Sequence, residues 1–452
     1  MHLEETTLQL LRDSLRILDS GFATLPAVSE KITPPPDPRV AAVMNEVATR
    51  LQDNYPYFHP LYAGQMLKPP LPIARAAYAL ATWINPNNHA FDGGRASSTM
   101  EIEAVAQIAA MFRWREHLGH LCGGGTMANL EALWIAGRLH PGKKILASDQ
   151  AHYTHNRISA VLQLPFAAVP SDDRGRMDAA ALEKMLQAGD VGCVVATMGT
   201  TGTGSVDPLP GILRLRDRYG FRVHVDSAYG GYFTLAANLA PEARAAFDQI
   251  GRADSIVIDP HKHGLQPYGC GCVLFRDPKV GTIYKHDSPY TYFTSSELHL
   301  GEISLECSRP GAAAVALWAT QRLLPLVRGG EFAAMLEASR DTALQFSQRL
   351  AADARWLLPF VPELDIVVWA PRAPSAAQGS ALSQRVFDAA AKENLHLALI
   401  RVPVRFFAPQ HNLAGAAEDT VLCLRSVLMK PEHADWLDRI WAILSRVADD
   451  NL

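Results

Sequence analysis

The sequence predicts an α/β fold in which helices cover both faces of a mostly parallel sheet, followed by a smaller α+β unit. From about residue 100, helix-like segments alternate with short runs of β-branched and other apolar residues. Because these runs are apolar at successive positions, they are typical of strands buried on both faces. Strands that alternate with helices in this way indicate a sheet built from crossover connections.

The expected elements follow in order along the chain. Within the α/β part, helices are expected at residues 100–113, 127–138, 179–187 and 209–219, and strands at 144–147, 193–197, 222–225, 255–258 and 271–275. Further on, helices are expected at 312–324, 332–350, 381–393 and 432–447, and strands at 365–369, 396–401 and 421–427. We therefore expect a helical arm (1–60), a large domain (61–325) and a small C-terminal domain (326–452), since 452 residues exceed what one core usually supports.

The N-terminal segment predicts an amphipathic helix. Leu8, Leu11, Leu15 and Leu18 recur at helical spacing. Acidic residues come early and no apolar h-region follows, so the segment does not resemble a signal peptide. This pattern favours a cytoplasmic protein.

Composition argues against several classes of partner. The formal net charge is -4 and no basic block stands out, so neither nucleic acid nor a membrane surface is an expected partner. No apolar run reaches the roughly 18 residues that a membrane-spanning helix needs. The six cysteines form no spacing framework and are expected to be reduced thiols of a cytoplasmic protein.

A lysine after a buried strand is the most informative feature. The run 255–258 leads through Asp259 and Pro260 to His261 and Lys262, in a turn rich in glycine and proline. Lysine is rarely buried unless it is paired or catalytic. An amine in this setting is a candidate nucleophile toward a carbonyl carbon. A solvated surface lysine is the alternative interpretation.

An aspartate ends the preceding strand-like run. Asp226 closes FRVHVD, and groups at the carboxyl ends of parallel strands line the ligand crevice of an α/β sheet. A buried carboxylate beside a pyridinium nitrogen keeps that nitrogen protonated, although an aspartate that caps the next turn would look the same. Ala228 is small enough for a flat ring to lie over it. His152, after another strand, could stack on such a ring or be a surface histidine.

A glycine-rich turn precedes the helix expected at 127–138. Gly123, Gly124, Gly125 and Thr126 suit close approach of a phosphate to free helix amides, or else form a plain turn with a helix cap. The loop that begins at residue 199, with Thr201, suits a wrap around a ring substituent. His152 with His155, and the HLGHLC segment, lack an acid at familiar spacing, so we expect no metal site.

Taken together, these segments resemble the pyridoxal-phosphate-dependent amino-acid decarboxylases of group II, which include aromatic amino-acid, tyrosine and glutamate decarboxylases. The resemblance runs from HPLYAGQM (59–66) to LRSVLMKP (424–431). Its motifs, in order, are GGGTMANL, SDQAH, GTTGTGSVD, HVDSAYGG and DPHKHGLQPYG. It implies an aminotransferase-like large domain (fold type I) with a mostly parallel seven-stranded sheet. It also implies pyridoxal 5'-phosphate as cofactor and a homodimer with shared active sites.

The resemblance also implies roles for single residues. Lys262 would bind the cofactor covalently, Asp226 would pair with the pyridine nitrogen, and His152 would stack on the ring. The phosphate would be held by Gly124, Gly125, Thr126 and His261, with Thr201 nearby. Arg425 would meet the substrate carboxylate. Tyrosines with possible catalytic roles are Tyr268 and, in a mobile loop, Tyr290 and Tyr292, of which one would protonate the α-carbon.

The implied reaction is removal of the α-carboxylate of an L-amino acid, either aromatic, such as tyrosine, or acidic. His89 and Phe91, in WINPNNHAF, are candidate contacts of the substrate side chain. Met127 and Asp259 depart from the glutamate and asparagine that are frequent in relatives. Because ECSRPGAAA (306–314) is also similar to sphingosine-phosphate lyases, a carbon–carbon lyase is one alternative. An aminotransferase and a cofactor-binding protein without catalysis are the others.

Overall fold

Two β-sheets organise the chain in the computed structural model, which describes residues 5–26, 37–285, 299–407 and 419–452. The larger sheet contains β1 (Leu118–Cys122), β2 (Lys144–Ser148), β3 (Phe166–Val169), β4 (Val191–Thr197), β5 (Arg222–Asp226), β6 (Ser255–Ile258) and β7 (Gly271–Phe275). The smaller sheet contains β8 (Trp356–Leu357), β9 (Ile366–Pro371), β10 (Ala398–Pro403) and β11 (Thr420–Val427).

Helices precede, separate and follow these strands. The N-terminal helices are α1 (Glu5–Ser20), α2 (Pro38–Leu51), α3 (Pro72–Thr82) and α4 (Arg95–Met111). Those between the strands of the larger sheet are α5 (Gly125–Leu139), α6 (Thr154–Val161), α7 (Ala179–Leu186), α8 (Leu209–Tyr219) and α9 (Pro241–Phe247). The remaining helices are α10 (Gly281–Tyr284), α11 (Gly311–Leu323), α12 (Glu331–Ala352), α13 (Ala376–Lys392) and α14 (His433–Asn451).

The larger sheet has the strand order β1-β7-β6-β5-β4-β2-β3, and only β7 runs opposite to the other six strands. The expected mostly parallel seven-stranded sheet is therefore confirmed. Its register places Thr197, Asp226 and Val257 side by side on neighbouring strands. The carboxyl ends of β4, β5 and β6 thus meet at one edge of the sheet.

Two strands of this sheet were not among those expected. β1 contains glycine and histidine, and β3 is four residues long with a half-exposed start, so neither has the apolar run that marks a buried strand. The expected helix at 381–393 begins earlier, at Ala376. Its start is set by the Ser375 side chain, which accepts a hydrogen bond from the Gln378 amide.

Burial of apolar strands holds the large sheet in place. In β4, every residue after Val191 is buried, and Val194 and Val195 have no exposed surface. Each fully buried valine contributes about 1.5–3 kcal/mol to folding relative to an exposed one. Because the strands next to Asp226 are rigid in this way, the strand ends present a fixed frame for functional side chains.

The smaller sheet collects a segment from far upstream. Tyr62 forms a parallel bridge with His396, and the Ala63 carbonyl accepts a hydrogen bond from the Val427 amide. Leu61 and Ala63 pack in the core cluster of the C-terminal elements. The chain therefore contacts the C-terminal sheet before it enters the larger one.

The N-terminal segment forms the helix that its leucine spacing predicts. Neither α1 nor α2 has a buried residue. Within the described ranges, no helix combines the length and apolar character required to cross a bilayer.

Candidate active site

A cavity of about 530 Å³ opens at the carboxyl edge of the larger sheet. Its walls come from the ends of β4, β5 and β6 and from the loops that follow them. The sequence-predicted residues that line it are Gly124, Gly125, Thr126, His152, Thr201, Asp226, Ala228, His261, Lys262 and Tyr268. The residues that the sequence predicted for the site therefore lie together around one cavity.

Asp226 lies buried at the end of β5 with both carboxylate oxygens hydrogen-bonded. Its Oδ2 accepts from His155 Nε2 at 2.8 Å and from Asn129 Nδ2 at 3.3 Å. Its Oδ1 accepts from the Ala228 amide at 3.1 Å. Burial acts to raise the pKa of Asp226, but the hydrogen bond from His155 and the nearby imidazoles hold it well below its usual range. The side chain is thus an anion fixed in one orientation.

A second layer of hydrogen bonds supports Asp226. His224 Nε2 donates to Asn129 Oδ1 at 2.8 Å, and His224 Nδ1 lies 2.9 Å from Ser255 Oγ. Burial, together with His155, lowers the pKa of His224 to about 3, so this imidazole is neutral. A neutral His224 that donates from Nε2 accepts at Nδ1, which makes Ser255 the donor. The amide of Asn129 is thereby oriented to donate to Asp226.

Lys262 stands in the turn after β6 and pairs with Asp259. Its Nζ lies 3.0 Å from Asp259 Oδ2, and its backbone amide donates to the Asp259 carbonyl at 2.9 Å. The Lys262 side chain is about a fifth exposed, whereas that of Asp259 is buried. The Lys262 amine therefore faces the cavity, and the buried Asp259 carboxylate balances its positive charge.

The glycine loop forms the opposite wall. Gly124 has φ +148°, which side chains rarely adopt, and a Cβ there would lie 3.1 Å from His261 Cε1. A Cβ on Gly125 would lie only 2.8 Å from Asp259 Oδ2. α5 begins at Gly125, so the amides of its first turn have no partner within the helix. This wall offers an anion free N–H groups and the positive end of a helix dipole.

Two imidazoles flank the cavity in neutral form. Burial lowers the pKa of both His152 and His261. His152 Nδ1 accepts a hydrogen bond from the Thr154 amide at 3.2 Å, which fixes its ring. The His261 ring lies 4.6 Å from that of Tyr268, whose hydroxyl donates to the Met66 carbonyl at 2.8 Å.

The smaller sheet reaches the cavity floor through one carboxylate. Asp365, immediately before β9, accepts a hydrogen bond from Tyr229, a cavity residue, at 2.5 Å. The Nε2 of His263, next to Lys262, lies 3.3 Å from Asp365 Oδ2 without the alignment of a hydrogen bond. Burial acts to raise the pKa of Asp365, but His263 and Tyr229 hold it below its usual value. The lysine turn and the cavity floor are thus tied to the C-terminal elements.

The cavity fits pyridoxal 5'-phosphate. Three buried polar atoms of its lining have no hydrogen-bond partner within the described ranges, namely Asp259 Oδ1, His261 Nδ1 and Thr197 Oγ1. The two glycines leave room beside the free amides of α5 for a phosphate. The distribution of an amine, a buried carboxylate and an anion cradle around one cavity matches the aldehyde, ring nitrogen and phosphate of this cofactor.

Three of the expected substrate contacts are not among the residues that line the cavity. His89 lies against Cys307, with Nδ1 3.6 Å from Sγ, and Phe91 lies under the Arg95 guanidinium. Arg425 is buried behind Thr201, where it donates to the carbonyls of residues 64, 201 and 202. Tyr290 and Tyr292 lie outside the described residues.

Sequence reasoning missed several residues of the site, three of which lie beside Asp226. The sequence suggested only a metal-binding role for His155, and no pattern pointed to Asn129 or Thr197. Asn129 lies one turn into α5 after the glycine loop, and Thr197 ends β4 beside Asp226. Their positions relative to the recognised motifs were the available clue.

No metal centre is apparent in the described ranges, where no three metal-binding side chains cluster. His120, from the HLGHLC segment, is buried with Nε2 2.9 Å from Glu131 Oε2 and Nδ1 2.8 Å from the Leu121 carbonyl. Both ring nitrogens of His120 are therefore hydrogen-bonded within the core.

The fold and cavity define a class of enzyme that uses pyridoxal phosphate. Residues 135–371 match the family described as pyridoxal-dependent decarboxylase conserved domain. The chain belongs to this family of decarboxylases. Pyridoxal phosphate is accordingly its cofactor.

Individual relatives agree with this family. An L-tyrosine decarboxylase of Enterococcus faecium is 29% identical, over 72% of this chain and 70% of its own. An aspartate 1-decarboxylase of Aliivibrio fischeri is 35% identical, over 43% of this chain and 41% of its own. For two other tyrosine decarboxylases, the aligned share of the relative is 62%.

Solved structures share the fold over the full length. The structure described as Oryza sativa TDC with PLP and tryptamine has a TM-score of 0.79 and 18% identity, and the match covers 100% of this chain and 99% of that one. The fold that the resemblance implied is thereby confirmed.

Proposed function

We propose that this protein removes the α-carboxylate of an L-amino acid, releasing CO₂ and an amine. The observation that carries the proposal is the single cavity shared by Lys262, Asp226 and the glycine loop in a chain of the pyridoxal-dependent decarboxylase family. We assign Lys262 as the residue that binds the cofactor covalently. Asp226 pairs with the ring nitrogen, and His152 stacks on the ring opposite Ala228.

The phosphate is assigned to the glycine loop. Gly124, Gly125 and Thr126 present the first-turn amides of α5, His261 adds an imidazole, and Thr201 lies on the same lining. The helix dipole favours an anion at this position by about 0.3–1 kcal/mol. Binding at both the ring and the phosphate holds the cofactor in one orientation.

The chemistry divides between cofactor and protein. When bound, the cofactor withdraws the electron pair left on the α-carbon as CO₂ departs. Asp226 holds a proton at the ring nitrogen, which makes that withdrawal effective. The bond between the α-carbon and its carboxylate must be held perpendicular to the ring. Arg425, which lies behind Thr201, stays our prediction for the residue that contacts this carboxylate. A tyrosine, Tyr290 or Tyr292, stays our prediction for the acid that protonates the α-carbon.

The charges of the lining favour a neutral aromatic side chain over an acidic one. Among the described lining residues, Lys262 is the only lysine or arginine, and it is engaged by Asp259. Glu306 also lines the cavity, where its Oε2 accepts from the Gly123 amide at 3.2 Å. A second carboxylate on the substrate would be repelled by this wall. We therefore place tyrosine ahead of aspartate as substrate, and both are named for relatives.

We further propose that two copies of the chain form a homodimer. Helix α2 has an apolar side that no described part of the chain covers. Its exposed apolar residues are Val40, Val43, Met44, Val47 and Leu51. An uncovered apolar helix side of this kind typically marks a contact with a partner. A second copy of the chain is the partner that the family resemblance implies, and residues such as His89 and Phe91 would then serve the neighbouring site.

Location and domain limits complete the proposal. We propose a cytoplasmic location, supported by six cysteines that form no disulfide. We propose the boundaries 1–60, 61–325 and 326–452 for the helical arm, the large domain and the small domain.

The decisive experiment measures CO₂ release by purified protein with pyridoxal 5'-phosphate against the twenty amino acids and 2,4-diaminobutyrate. Tyrosine is expected to give the highest kcat/KM. Lys262→Ala should abolish turnover and the borohydride-trappable bond to the cofactor, whereas Lys279→Ala, an exposed lysine near α10, should leave both intact. Normal turnover by Lys262→Ala, or amine transfer to a keto acid without CO₂, would refute the proposal.

A further inference from the structure

We propose that Asp259 is the counter-ion of Lys262 and sets the pH at which this lysine reacts with the cofactor aldehyde. The inference rests on the assignment of Lys262 as the attachment residue. It concerns a buried carboxylate that stands three residues before the lysine and contacts its amine.

The geometry leaves the carboxylate little freedom. Asp259 Oδ2 lies 3.0 Å from Lys262 Nζ, and the Asp259 side chain is 3% exposed. Its backbone is fixed by hydrogen bonds from its amide to the Ala228 carbonyl and from the Lys262 amide to its own carbonyl. On the other side, Oδ2 would lie 2.8 Å from a Cβ placed on Gly125, so the glycine loop prevents the Asp259 carboxylate from moving away from Lys262.

Lys262 is the only full positive charge that faces this carboxylate among the described groups. Burial lowers the pKa of His261, whose Nε2 is 3.6 Å away, and that of His152. Burial also raises the pKa of the other titratable groups that interact with Asp259, which are Tyr232, Tyr268, Cys122, Cys270 and Cys272. All of these are neutral near pH 7. The remaining oxygen, Oδ1, has no hydrogen-bond partner in the part of the chain that the structure describes.

The pairing opposes the first step of cofactor attachment. The ammonium must lose its proton before the amine nitrogen can attack the aldehyde carbon, and the aldehyde oxygen then leaves as water when the C=N bond forms. A carboxylate at this distance stabilises the ammonium. An opposite charge within about 4–6 Å favours the charged form of a group. Removal of the carboxylate should therefore allow attachment at lower pH.

The test follows attachment rather than turnover. Full-length apoprotein is mixed with pyridoxal 5'-phosphate at a series of pH values, reduced with borohydride at early times, and the modified peptide is quantified by mass spectrometry. In Asp259→Asn, the pH of half-maximal attachment rate should fall by about one unit or more. Asp173→Asn, which removes an exposed carboxylate outside the cavity lining, should leave that pH in place.

Pyridoxal, which lacks the phosphate, separates the counter-ion from an effect on phosphate binding. The same shift is expected with pyridoxal as with pyridoxal 5'-phosphate. An unchanged pH profile in Asp259→Asn, or a shift with the phosphorylated probe alone, overturns the proposal. Asp259→Ser serves as a second charge-removing variant if Asp259→Asn does not fold. Modification of a lysine other than Lys262 would instead overturn the attachment assignment itself.

Discussion

Asp226 and Asp259, at the two ends of the cavity, differ in how completely the protein hydrogen-bonds their carboxylate oxygens. At the ring end, Asp226 receives three hydrogen bonds, and Asn129 and His224 extend them into the core. At the lysine end, Asp259 Oδ1 and His261 Nδ1 are buried with no hydrogen-bond partner among the described residues. Unsatisfied buried polar groups cost about 1–3 kcal/mol each, and natural proteins retain few of them.

The ring end is therefore a preformed part of the fold, whereas the lysine end is a surface that binds the cofactor. The Asp226 carboxylate is held by protein hydrogen bonds on both oxygens without a ligand, so it fixes where a protonated ring nitrogen must sit. At the lysine end, His261 Nδ1 can donate to a bound phosphate, so part of the binding free energy comes from a group that folding leaves unpaired. Substitutions at the first end should therefore alter the chemistry, and substitutions at the second should alter cofactor binding.

The largest effect is expected from Asp226→Asn. The amide cannot hold a proton at the ring nitrogen, so kcat should fall by about 10²–10³-fold, as when one preorganised electrostatic group is removed elsewhere. Cofactor affinity should change much less. The measurement is CO₂ release at saturating cofactor, with circular dichroism to confirm folding. If the main change is in the dissociation constant of the cofactor, the two ends do not differ as stated.

A smaller effect is expected from Gly125→Ala at the other end. The added methyl would lie 2.8 Å from Asp259 Oδ2 and 3.3 Å from Ala228 Cβ. Such overpacking costs about 1–3 kcal/mol, so the dissociation constant of the cofactor should rise about tenfold or more. The control is Gly379→Ala in α13, where the nearest atoms to an added methyl are 3.7 Å away. Equal cofactor binding by both variants, measured by fluorescence titration, would contradict the prediction.

The smallest change in turnover is expected from His224→Gln, which can still donate to Asn129. Its effect should appear in the pH dependence of stability. The pKa of His224 is about 3 when folded and about 6.5 when unfolded, so between these values the unfolded chain binds more protons. His224 therefore costs stability as the pH falls below about 6.5, by about 1.4 kcal/mol per unit. Urea unfolding at pH 5.5 and 7.5 should show a smaller difference in the variant, and parallel behaviour of both proteins would disprove this.

Local patterns predicted five of the seven strands of the larger sheet, the helices α4, α5, α7 and α8, and ten of the residues that line the cavity. Lys262, Asp226 and the glycine loop each stand directly at a strand end or helix start, where sequence and position are closely linked. His155 and Asn129 were missed because they meet Asp226 across 71 and 97 residues. No local pattern encodes which polar side chains of two helices will point at the same carboxylate. β1 and β3 were missed for a related reason, since neighbouring strands rather than their own residues determine that they are extended.

The contact between Asp365 and Tyr229 joins segments that are 136 positions apart. A fragment that stopped near residue 330 would retain every motif of the pyridoxal site, yet its floor phenol and the imidazole beside the lysine would face water in place of a carboxylate. A gene shortened to the recognisable motifs would therefore encode a coenzyme pocket that is open at its base. An active enzyme also requires the residues after about 330.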